Sequence, residues 1–233
     1  MPTANFYFRQ RIRVTTRLRF AAAMMSIGFY ASPASATEQF QTPDLSSLPI
    51  GSALQDFEFW RAGEPDPDHW TIVDRAAAEN IPSIQQSGAS REARPSLAIY
   101  KPVRGMNAKI RAQFKLIDGS MPSAGIAVRV TSPNDYYFVR ASAFEQRLSF
   151  VHVVDGKSEE IANIDADIRP NHWQSLEVVV NGNGFKVSLD DRWAFTAFDY
   201  SKPASGQFGL WAERDDVTRF NQIEILSLTY ADD

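Results

Sequence analysis

The chain has 233 residues, 44% hydrophobic and 22% charged, with 12 Gly, 13 Pro and no Cys. That balance excludes a disordered or fibrous chain, and the lack of cysteine excludes disulfides, thiolate metal sites and cysteine nucleophiles. The formal net charge is −4, and at ~150 residues per domain the length fits one main domain.

The amino terminus reads as a secretory signal peptide. Arg9, Arg11, Arg13, Arg17 and Arg19 precede a small and apolar run over 20–30, and Ala34-Ser35-Ala36 supplies an A-x-A cleavage site. Gln10 interrupts the Arg9 and Arg11 pair, so a twin-arginine signal is not expected. Beyond residue 36 there remain 19 basic against 28 acidic residues, a net charge of −9. Phosphate recognition needs a basic footprint, so nucleic acid is not an expected partner. No later run approaches the ~20 apolar residues of a membrane span. The expectation is a periplasmic or secreted protein with a signal peptide over 1–36, a loosely ordered lead-in over 37–52 and a single domain over 53–233.

From about Trp70 the apolar residues recur with period two. Ala108, Ile110, Ala112, Phe114 and Leu116 alternate with Lys109, Arg111, Gln113 and Lys115, as in a strand with one wet face. Ile126, Val128 and Val130 repeat the pattern, as do Leu176, Val178 and Val180; Phe185, Val187 and Leu189; and Phe208, Leu210 and Ala212. Asp155-Gly156 and the Asn181 to Gly184 run supply tight hairpin turns, and Pro122, Pro133, Pro170 and Pro203 fall between strands. Short turns near 53–57, 74–80 and 165–169 are the only helix candidates. The fold class is therefore all-β, an antiparallel β-sandwich.

The segments Ala124 to Val130 and Asn134 to Arg140 resemble the "aGlxxR … nYYxvR" pattern of the concanavalin A-like lectin/glucanase jelly rolls. The similarity is greatest to the laminin-G-like and 3-keto-disaccharide hydrolase-like group of exported bacterial proteins. Asp155-Gly156-Lys157, the Trp173 strand, Gly184-Phe185 and Gly206 to Trp211 extend it over about 70–228. The resemblance implies a jelly roll with a ligand on its concave sheet. Two positions depart from the hydrolase-like pattern: Pro122-Ser123-Ala124-Gly125 stands where Asn-Ser-Gly is usual, and Asn221 follows Phe220 where Asp is usual. The paired-carboxylate strand motif of laminarinase-like enzymes is absent, which argues against a retaining glycosidase.

Strand parity assigns faces. With Ile126, Val128 and Val130 inward, Arg129 points outward. With Tyr137, Val139 and Ala141 inward, Tyr136, Phe138 and Arg140 point outward, and with Phe208, Leu210 and Ala212 inward, Trp211 and Glu213 do so. Aromatic faces beside guanidinium and carboxylate groups suit a sugar ring; the alternative is a second minicore beneath a covering segment. His152 lies on a strand apolar at both parities, either a packed histidine or a general base beside the arginines, with Glu213 the other candidate base. His69-Trp70 and His172-Trp173 read as strand entries with a core Trp. Glu64, Asp66, Asp68, Asp190-Asp191 and Asp215-Asp216 read as solvated turn acids, and no metal or cofactor is expected. Three functions follow: a carbohydrate-binding domain, a 3-keto-glycoside hydrolase or lyase, and a laminin-G-like protein-interaction module.

Overall fold

A computed structural model describes residues 37–52, 54–61, 64–65, 70–73, 82–87, 95–201, 205–213 and 216–229. The expected signal peptide, the turn at 74–80, Ala53, His69, Asp66, Asp68 and Asp215 lie outside these residues.

The described residues form sixteen strands and no helix. In chain order they are β1 (Thr37–Gln41), β2 (Phe57–Arg61), β3 (Glu64–Pro65), β4 (Trp70–Val73), β5 (Ser83–Ser87), β6 (Ser96–Gly105), β7 (Asn107–Asp118) and β8 (Ser123–Ser132). There follow β9 (Asp135–Ser142), β10 (Arg147–Val154), β11 (Lys157–Asp165), β12 (Gln174–Asn181), β13 (Gly184–Leu189), β14 (Arg192–Phe198), β15 (Gly206–Ala212) and β16 (Val217–Thr229). One sheet runs β14-β13-β12-β7-β16-β5-β4 with β1 paired to β16, and the other runs β11-β10-β9-β8-β15-β6-β2-β3. Every pairing in both is antiparallel. The fold is a jelly-roll β-sandwich.

Alternation builds the core. Ala108, Ile110, Ala112, Phe114 and Leu116 of β7 are buried while Lys109, Arg111, Gln113 and Lys115 are half-buried. Leu176, Val178, Val180, Phe185 and Val187 extend that inner layer, and Ile126, Val139, Phe150, Phe208 and Leu210 face it from the second sheet. The tight turns form where turn chemistry places them. Asp155 and Gly156 both take positive φ between β10 and β11, as do Asp190 and Asp191 between β13 and β14, the requirement of two-residue hairpins whose twist matches the strands.

Three expectations need correction. The lead-in is not loosely ordered: β1 pairs with β16, and Leu45 is buried in the core. Asp216 is no solvated turn acid; it is fully buried and accepts a hydrogen bond from the Ser123 N–H at 3.0 Å. The parity of β8 also breaks. Its ladder with β9 slips between Val128 and Ser132, where Arg129 adopts φ +50°. A bulge of this kind turns the following residue to the opposite face, so Val130 joins an apolar cluster outside the sandwich instead of the core.

Candidate functional site

The central strands of the second sheet are apolar on both faces. Its outer cluster comprises Leu97, Ile99, Ala127, Val130, Tyr136, Phe138, Val151, Val153 and Trp211, with Trp60 packed against it. Trp211 of β15 and Phe138 of β9 are separated by β8, a gap of ~9.5 Å at normal strand spacing. Their ring centroids nevertheless lie 4.6 Å apart with planes 12° from parallel. The intervening strand makes this close approach feasible: Gly125 stands opposite both Trp211 and Arg140, and Ala127 stands opposite Phe138. The two rings lean together over small residues, and Tyr136 continues the series 5.8 Å from Phe138.

The aromatics are therefore buried, Trp211 to 2% exposure, and much of this face is the minicore that the sequence left as an alternative. Beside it a pocket of about 340 Å³ remains, lined by Tyr136, Phe138, Arg140, Val151, Ser158, Glu160, Trp211, Glu213 and Pro95. That volume falls within the ~300–1,000 Å³ range of small-molecule sites. Arg140, which lines the pocket, has a buried Nε without a hydrogen-bond partner, whereas the Trp211 side chain is hydrogen-bonded to Tyr136. Arg140 is fixed instead through its terminal nitrogen, which donates to Glu145 Oε2 at 2.7 Å. Burial pushes the Tyr136 phenol up to about 12 against the opposing hydrogen bond with the Trp211 side chain, and the charge of Glu213 adds to the rise, so it stays a neutral hydroxyl at physiological pH.

The pocket brings together Tyr136, Phe138, Arg140, Trp211 and Glu213. It does not include Arg129 or His152. Through the bulge, Arg129 reaches back toward the other sheet: Nε donates to the Met106 carbonyl at 3.0 Å, a terminal nitrogen donates to the Gly182 carbonyl, and the guanidinium lies 5.1 Å from the Phe185 ring centroid. Burial lowers its pKa from the ordinary arginine value, against the opposing pull of Tyr137 and Asp199. The expected outward Arg129 is thus corrected to a buried bridge between sheets.

His152 occupies the same end of the sandwich. It sits opposite Tyr137 in register and stacks on that ring at 3.8 Å, with Nδ1 3.2 Å from Asp199 Oδ2. Tyr137 donates its hydroxyl hydrogen to Asp199 at 2.9 Å, and Ser201 Oγ lies 2.9 Å from the same hydroxyl. Burial raises the Asp199 carboxyl, but hydrogen bonds from Ser201 and Tyr137 and the nearness of His152 outweigh it and hold the pKa below the usual value. A shallow recess of about 290 Å³ opens beside Arg129, Tyr137, His152 and Ser201. The sequence reading placed Tyr137 in the core and did not single out Asp199 or Ser201, because nothing in local spacing links β14 to β10.

A third feature, unexpected from the sequence, lies at the edge formed by β11 and β14. A cleft of about 770 Å³ is lined by Trp173, Trp193 and charged residues of the segment 165–169 and the β13–β14 turn. Trp173 was expected in the core but is only half-buried, and it precedes β12 instead of opening it.

No family model and no curated protein matches this chain. Solved structures do. The carbohydrate-binding module CBM66 from Bacillus subtilis is similar with a TM-score of 0.55 at 19% identity, over 73% of this chain and 96% of that one. Domain 4 of AbnA, an extracellular arabinanase of Geobacillus stearothermophilus solved with arabinotriose, is similar with a TM-score of 0.53 at 9% identity, over 74% and 84%. These are likenesses of fold.

Proposed function

We propose that the chain is an exported carbohydrate-binding domain that takes a single sugar ring in the pocket beside Trp211 and Arg140. The observation carrying this reading is the buried, unpartnered Nε of Arg140, a residue that lines the pocket. A buried donor without a partner costs about 1–3 kcal/mol, and a ring or hydroxyl oxygen of a sugar removes that cost. The lining supplies the rest of what a pyranose needs: apolar surface from Phe138 and Val151, and acceptors from Glu160, Glu213 and Ser158. The fold's likeness to a carbohydrate-binding module and to an arabinanase domain solved with arabinotriose supports the same class of ligand.

A panel of monosaccharides and arabinotriose, screened by thermal shift, tests this. At least one sugar raises the melting temperature of the parent protein, and Arg140→Met or Glu213→Gln weakens its affinity at least tenfold. Trp211 is buried, so its replacement is the poorer probe. The reading fails if no sugar shifts the transition or if Arg140→Met binds like the parent; stabilisation by a protein partner instead would favour the interaction-module reading.

The 3-keto-glycoside hydrolase reading has one observation behind it, the His152–Asp199 pair. Its base would stand beside Arg129 and away from Glu213, so turnover of a 3-keto-glucoside lost in His152→Ala and retained in Glu213→Gln is its signature.

A further inference from the structure

The cleft at the β11–β14 edge is a preformed groove. Its wall, residues 166–173, carries no secondary structure yet is pinned from both sides. Gln146 accepts from the Ile168 N–H at 3.3 Å and donates to the Ile168 carbonyl at 2.8 Å. Gln174 accepts from the Arg169 N–H at 2.7 Å and donates to the Asp167 carbonyl and to Asp190 Oδ2, each at 3.0 Å. Ile168 itself is fully buried in the core. A loop pinned over 167–169 by two glutamines and plugged by Ile168 keeps its backbone in place, so binding carries little backbone ordering cost.

The side chains lining the cleft are of two kinds. Trp193 is 66% exposed, on the flank of the cleft, and Trp173 is half-buried on its lining. A protein has little reason to leave an indole in water, and exposed aromatics beside a polar recess mark a ligand surface. Around them stand Asp165, Asp167, Asp190, Arg169 and Arg192, nearly balanced in charge. Arg169 is shared between Asp167 at 3.6 Å and Asp190 at 3.5 Å. Exposed donors and acceptors of both signs around apolar rings match a neutral polyhydroxylated ligand, and the slight excess of carboxylates disfavours an anionic one. The volume is more than twice that of the outer-face pocket, about 770 against 340 Å³, room for more than one sugar ring.

We infer that this edge cleft is a second, independent binding site for a neutral oligosaccharide or polysaccharide chain, with Trp193 as its stacking platform. The inference does not rest on the outer-face pocket: the two sites share no residue, and the probes differ.

Native affinity electrophoresis decides it, with gels cast from arabinan, xylan, laminarin or dextran as neutral polymers and polygalacturonate as the anionic one. The parent protein is retarded by at least one neutral polymer, and Trp193→Ala loses that retardation, its dissociation constant rising at least tenfold. Because Trp193 is exposed, the variant keeps the parent melting temperature. It also keeps the monosaccharide response of the outer-face pocket, so failure of one site does not hide the other. Retardation by no neutral polymer, retardation by polygalacturonate alone, or parent-like migration of Trp193→Ala would each overturn the inference.

Discussion

Arg129 illustrates how one residue's backbone redirects a functional argument. In the stretch from Ile126 to Thr131 the bulkier apolar residues fall at every second position, and no glycine or proline marks the place where φ turns positive. The bulge was therefore illegible, and parity carried one step too far sent Arg129 to the wrong face. In the folded protein its guanidinium satisfies two main-chain carbonyls, one following β6 and one in the β12–β13 turn, tying the two sheets together at one end. Hydrogen bonds from a charged donor contribute about 1.5–3 kcal/mol each, and a carbonyl left unpaired in the interior adds its own cost. Arg129→Met keeps the aliphatic stem and removes the donors, so it lowers stability by about 3 kcal/mol. For a domain of this size that is a fall of roughly 6–12 °C in melting temperature. A variant melting within 2 °C of the parent would show that the bridge is dispensable.

Legibility differed between elements for a physical reason. β7 and β12 have one wet face, so their residue types reported their orientation directly. β8, β9, β10 and β15 are apolar on both faces, and there the sequence could say that strands exist but not whether their outer aromatics are open or packed. The small residues Gly125 and Ala127 were the missing signal, since they allow Trp211 and Phe138 to close over β8. The edge cleft was illegible because its wall is irregular backbone held by glutamines, a residue type with no positional signature. That wall offers its own check. Gln146 lies at φ +51°, which asparagine tolerates, but Gln146→Asn is one methylene too short to hold Ile168. Amide exchange at Ile168 should quicken at least tenfold in this variant, while Ala166, bonded to the main-chain carbonyl of residue 146 at 2.9 Å, changes less. Equal effects at the two amides would mean that the side chain does not pin the loop.

At the scale of the whole molecule, the perturbed carboxylates and tyrosines form two sets that bracket the neutral range. Hydrogen bonds to Asp135 from the Ser132 hydroxyl and the Asp155 N–H hold its carboxyl below the usual value, and Asp199 is likewise depressed in its cluster. A carboxylate with a lowered native pKa stabilises the fold fully above its unfolded value, about 4, and that contribution disappears as pH falls through the native value. The tyrosines behave oppositely. Burial raises Tyr100, Tyr137 and, most strongly, Tyr136, to about 12. The folded state then holds a proton that the unfolded chain releases near pH 10, so stability is intact below about 10 and declines as pH climbs toward 12. Melting temperature measured against pH should fall below about 4 and above about 10. Tyr136→Phe removes one proton from the alkaline balance and makes that limb shallower, while Asp199→Asn does the same on the acid side. An alkaline limb of equal slope in the parent and in Tyr136→Phe would mean that the phenol is not held in a water-poor site, and the unpartnered Nε of Arg140 in the same pocket would lose its significance for binding.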